Sequence, residues 1–161
     1  MDSYIIFFVD GGIGKHIAST AVINGISKNY PEKKIVVISQ YKDIYLNNPK
    51  VYRTISADNS YYIYEDFIKN KNSIFLNGDP YFSNDFINTN ANLIESWFNL
   101  FNLSYKNEKP EIFLTDSEIL NAQIKYKRDK ENLIFQPNGG RPGIMKHEFN
   151  WVKDLPPKFA Q

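Results

Sequence analysis

Residues Tyr4-Ile5-Ile6-Phe7-Phe8-Val9 form an apolar run that stops at Asp10-Gly11-Gly12-Ile13-Gly14-Lys15-His16. Beyond it Ile17, Ala18, Ala21, Val22 and Ile26 recur at helical spacing. A strand apolar on both faces belongs inside a parallel sheet, and a parallel strand must be followed by a crossover. A strand, a glycine turn and a helix in succession therefore commit the chain to an α/β architecture. Glycine permits positive φ and close backbone approach, while the free N–H groups of a helix start face an incoming anion or sugar. This turn is the first place to expect a ligand.

The remaining chain repeats the alternation. The first helix runs from about Lys15 to Asn29 and is ended by Pro31. Lys34 to Ile38 reads as a second buried strand, Tyr41 to Leu46 as a short helix and Val51 to Ile55 as a third strand. Tyr61-Tyr62-Ile63-Tyr64 reads as a strand or loop, and Ser73 to Leu76 as a fourth strand ending in the turn Asn77-Gly78-Asp79-Pro80-Tyr81. Leu93, Ile94, Trp97, Leu100 and Phe101 give an amphipathic helix over Asn90 to Leu103, with Trp97 on its core face. Thr115-Asp116-Ser117-Glu118 has capping-box spacing and opens a helix reaching about Arg128. Leu133 to Gln136 reads as a last strand, and Trp151 to Gln161 as the beginning of a further helix. The fold class is α/β: a Rossmann-like, mainly parallel sheet flanked by helices.

Composition removes several classes of chemistry. No cysteine is present, which excludes disulfides, thiolate metal sites and a cysteine nucleophile, and two histidines make a histidine-rich metal centre improbable. The net charge of +1 gives no electrostatic case for nucleic acid, and the short basic patches at Lys33-Lys34 and Lys125 to Lys130 read as solvated faces. The apolar run at 4–9 is too short for a signal-peptide core or a membrane span. The expectation is a cytoplasmic protein with no integral membrane segment.

Taken in order, the motifs resemble the heptosyltransferase-like glycosyltransferases of family 9, which have the two-domain B-type fold. The stretch Ile5 to Ala21 is similar to that family's strand, Gly-Gly-x-Gly turn and helix. Asn48-Pro49-Lys50-Val51-Tyr52-Arg53-Thr54-Ile55 resembles its Asn-Pro-x-Val-Asp-x-Val-Ile segment. Asp79-Pro80-Tyr81, followed by Asn92 to Trp97, resembles its acceptor-side loop and the helix after it. Leu133 to Gly140, with Lys146 and Trp151 beyond, resembles the start of its second domain. The resemblance implies an acceptor-side domain over 1–130 and the start of a truncated donor-binding domain over 131–161, the N-terminal half of a B-type glycosyltransferase.

It further implies sugar transfer from a nucleotide-sugar to a saccharide or glycolipid acceptor, without metal or other cofactor, and with the donor bound only by a complete second domain. Gly11, Gly12, Gly14, Lys15, Asp79 and Tyr81 are the implied acceptor contacts, and Asn138, Gly139, Gly140 and Lys146 the implied donor contacts. The family places its general base, an Asp, directly after the glycine turn, where this chain has Lys15. Asp10 and His16 are the nearest replacements.

Other readings of the same residues stand beside this one. A catalytically inactive saccharide-binding module would keep the cleft and lose transfer. Gly11-Gly12-x-Gly14-Lys15 also resembles the deviant Walker A loop of the MinD/ParA-type ATPases, with Asp10 in place of its signature lysine and His16 in place of its hydroxyl ligand. A plain βα turn, with Asp10 compensating the helix dipole, needs no ligand at all, and Asp79 and Tyr81 are compatible with simple turn chemistry.

Overall fold

A computed structural model of the chain describes residues 2–58 and 61–126. The strand at Leu133 to Gln136, the tail helix and the donor loop at 138–146 lie outside them. The chain divides into two units at Asp116/Ser117. In the first, strands β1 (Ser3–Val9), β2 (Lys34–Ser39), β3 (Val51–Ser56) and β4 (Asn72–Asn77) form one sheet in the order β3-β2-β1-β4, with every pair parallel. The expected α/β, Rossmann-like parallel sheet is thus present. Of the second unit, the described part belongs to helix α4 (Asp116–Tyr126), which starts directly after Thr115.

The central strand β1 is apolar on both sides because both sides are covered. Ile5, Phe7 and Val9 face helix α1 (Ile13–Asn29) and helix α3 (Leu93–Leu100), in one cluster with Val22, Ile23, Ile26, Trp97 and Phe98. Tyr4 and Ile6 join Val36, Ile38, Ile63 and Phe67 on the opposite face. Each fully buried aliphatic or aromatic side chain here contributes about 1.5–3 kcal/mol.

The steps from β1 to β3 run outward in one direction, and the step to β4 runs back across the sheet. Crossovers of one hand must then lie on opposite faces. They do: α1 and Tyr45 cover the first face, while Ile63 and Phe67 cover the second.

Four local departures from the sequence expectations have physical causes. Helix α1 begins at Ile13, because Gly12, at φ −80° and ψ 164°, is its extended N-cap. The segment read as strand or loop is a turn running into a π-helical turn at Tyr64–Ile68, which delivers Ile63 and Phe67 to the second face. A 3-10 turn at Pro80–Phe82 and the short helix α2 (Asn84–Asn88), capped by Ser83, occupy a stretch with no predicted element.

Helix α3 is shorter than its hydrophobic pattern, which continues to Leu103. Asn92 caps it by accepting from the Glu95 N–H at 3.0 Å, so the helix starts at Leu93. It ends because Asn102 turns left-handed (φ 52°), with Leu103 N–H donating to the Phe98 carbonyl at 2.8 Å and Asn102 N–H to that of Asn99 at 3.0 Å. This is the Schellman pattern, completed by packing of Leu103 and Phe98 in one cluster.

Helices α1 and α3 approach closely at Gly25. A Cβ built there lies 2.4 Å from Phe98 Cε1 and 2.6 Å from Cζ, and the Phe98 ring is fully buried. Alanine gains about 1 kcal/mol over glycine in helix propensity, but overpacking costs about 1–3 kcal/mol. Gly25→Ala should therefore lower the urea midpoint despite being the better helix former. A raised midpoint would show that the two helices separate freely.

Candidate functional site

The carboxyl ends of β1 and β4 are neighbours in the sheet, so the turns that follow them lie side by side, at the position where open parallel sheets form their ligand crevice. After β1, Gly11 takes φ +85°, a conformation that L side chains resist. That backbone reversal carries the chain into α1, and Lys15 on its first turn reaches back over Gly11. After β4, Asp79 opens the 3-10 turn and accepts the Tyr81 N–H on Oδ1 at 3.0 Å.

The two turns meet on Lys15. Its Nζ lies 2.5 Å from Asp10 Oδ1 and 3.0 Å from Asp79 Oδ2, and its side chain is 5% exposed. The ammonium also lies 5.6 Å from the Trp97 ring centroid and 5.9 Å from that of Tyr81. A lysine near a helix N-terminus is unfavourable by itself. Here two carboxylates from adjacent strands compensate it.

The carboxylates differ in what they leave open. Asp79 uses both oxygens, one on Lys15 and one on the Tyr81 N–H. Asp10 uses Oδ1, while its Oδ2 has no partner among the described residues and the side chain is 59% exposed. Asp10 therefore offers an available acceptor oxygen at the mouth of the crevice. Tyr81 stands half-exposed beside it.

His16 sits differently. Its ring is completely buried, with Nδ1 2.9 Å from the Gly12 carbonyl oxygen and Nε2 3.1 Å from that of Val9. A neutral imidazole donates from one nitrogen, and only the doubly protonated ring donates to both oxygens. In either state the ring ties the end of β1 to the start of α1. Tyr41 packs edge-on against it, at 4.8 Å between centroids.

Behind it, the Tyr45 hydroxyl shares a 2.8 Å hydrogen bond with Ser19 Oγ, and burial pushes the Tyr45 phenol up to about 12. This layer is a support for the turn.

The glycines divide the same way. A Cβ at Gly11 meets Lys15 Cδ at 3.3 Å, whereas a Cβ at Gly14 has no atom within 4 Å. Gly11 is required by the backbone. Gly14 leaves open space that nothing in the fold requires.

Of the residues singled out in the sequence, Asp10, Gly11, Lys15, Asp79 and Tyr81 come together here. The structure adds Gln40 and Trp97. Gln40, at the carboxyl end of β2, donates from Nε2 to the Gly11 carbonyl at 2.5 Å and holds the turn from the side. Its place just beyond a parallel strand was a usable signal, since ligand crevices form at such ends. Asn138, Gly139, Gly140 and Lys146 lie outside the described residues.

Among the described residues there is no group of three or more acids and histidines arranged to hold a metal, and no helix long and apolar enough to cross a membrane. No family model, curated protein or solved structure matches the chain.

Proposed function

We propose that the first unit of this chain is the acceptor-binding domain of a heptosyltransferase-like glycosyltransferase, taking a saccharide hydroxyl in the crevice between the β1 and β4 turns. The observation that carries this reading is the meeting of Asp10 and Asp79 on one buried lysine, with Tyr81 alongside. Two carboxylates and one ammonium leave the trio formally at −1. Such a site disfavours a phosphate and suits hydroxyl donors, whose hydrogen bonds carboxylates accept.

In the proposed transfer, the acceptor hydroxyl oxygen attacks the anomeric carbon of a nucleotide-sugar as the bond to the nucleotide breaks. The leaving nucleotide takes that electron pair, and the hydroxyl proton passes to Asp10 Oδ2. Asp79 positions Lys15, and Lys15 in turn fixes Asp10. Asn138, Gly139, Gly140 and Lys146 are the proposed donor contacts.

Saturation-transfer NMR against a panel of hexoses, heptoses and their disaccharides, with Mg·ATP in parallel, tests the binding step. Sugar signals should be seen and should vanish in Asp10→Asn. Gly14→Ala separates fold from function: it should raise stability by about 0.5–1 kcal/mol through helix propensity yet weaken the sugar signal, because Gly14 is one of the proposed acceptor contacts. Mg·ATP binding that disappears in Lys15→Ala, with no sugar signal, would replace this reading with a phosphate-cradling loop.

A further inference from the structure

The outer edge of the sheet carries a cavity whose charge is opposite to that of the Asp10–Lys15–Asp79 trio. It has a volume of about 450 Å³ and is lined by residues of edge strand β3, of the 3-10 turn Lys42–Tyr45 after β2, and of the π-helical turn. Arg53 and Lys42 both line it, and neither side chain forms an ion pair or hydrogen bond among the described residues. The Arg53 guanidinium lies 5.9 Å from the Phe67 ring centroid, which orients its planar fork. Thr54 and Ser56 also line it from β3, with side chains on the sheet face opposite that of Arg53. Asp66 also lines the cavity without pairing with either cation.

Charged residues on an edge strand often serve only to discourage pairing with another sheet. That role asks for no second cation from a neighbouring element. Here two cations, one from β3 and one from the turn after β2, line one concavity, and its single carboxylate reduces the net charge only to +1. A guanidinium fork and an ammonium are groups that hold a phosphate's oxygens.

We infer that the Lys42–Arg53 cavity at edge strand β3 is a binding site for a phosphate group, either free or carried on a sugar. This assignment is independent of the acceptor reading and stands if that reading fails.

The test is a titration of the full chain with inorganic phosphate and, separately, with glucose 6-phosphate, at constant ionic strength, followed by the backbone amide resonances of Thr54 and Ser56. Saturable shifts are expected. Arg53→Gln and Lys42→Gln, both surface changes, should each weaken binding about tenfold, and Asp66→Asn should strengthen it. Tighter binding of glucose 6-phosphate than of phosphate identifies a phosphorylated sugar as the ligand class, and equal binding identifies the free anion. Absence of saturable shifts with both probes, or unchanged affinity in Arg53→Gln, would overturn the assignment.

Discussion

Replacing both Asp10 and Asp79 with asparagine should destabilise the first unit far more than the two single changes together. Lys15 is 5% exposed at its side chain, so its ammonium has little water to fall back on. With either carboxylate in place the charge keeps one partner. Asp10 is 59% exposed, and losing it alone forfeits a largely solvent-screened interaction. With neither, a buried cation stands uncompensated, a situation that costs about 3–5 kcal/mol.

The two singles should each cost about 1 kcal/mol or less, so the double mutant carries a coupling energy well outside the additive range. Urea denaturation of the four proteins measures it directly. Adding Lys15→Met to the double variant should then recover most of the loss, because it removes the stranded charge while keeping the side chain's bulk. Additive singles, or no recovery with methionine, would show that Lys15 reaches water and that the three residues are not a unit.

That unit was only half legible in the sequence. Asp10 and Lys15 stand five residues apart in a turn whose glycines announce it, and the buried strand and helix on either side fix its place in the fold. Asp79 was legible as a turn residue after a strand. Its contact with Lys15 depends on β4 pairing with β1 rather than with β3, a sheet order that no local pattern encodes.

The same gap explains Ile63 and Phe67. Aromatic and β-branched residues at Tyr61-Tyr62-Ile63-Tyr64 favour a strand by propensity. The return crossover instead needs a helical turn there to cover the second face. Local signals prevailed where one residue decides the backbone, as at Gly11, and failed where the decision was shared across the sheet. Asn102 is an intermediate case: asparagine tolerates the left-handed region, but a run of apolar residues to Leu103 conceals the stop.

Trp97→Ala should be the most damaging single substitution in the first unit, at about 3–5 kcal/mol. The indole is completely buried, packs edge-on against Phe7 at 5.6 Å between centroids, and lies beneath the Lys15 ammonium. It therefore joins the central strand, helix α3 and the crevice floor, and its removal opens a cavity where three elements meet. At the size of this unit the loss corresponds to a fall in Tm of about 10 °C or more.

Trp97→Phe discriminates between packing and polar contributions. The indole Nε1 is buried with no hydrogen-bond partner among the described residues, so phenylalanine discards an unsatisfied donor along with one ring. An unsatisfied buried donor costs about 1–3 kcal/mol, which offsets part of the cavity created by the smaller side chain. The phenylalanine variant should accordingly lose much less stability than the alanine variant. Equal losses in the two would mean that the indole N–H is satisfied in solution, and that the floor of the crevice is held by a polar contact rather than by packing alone.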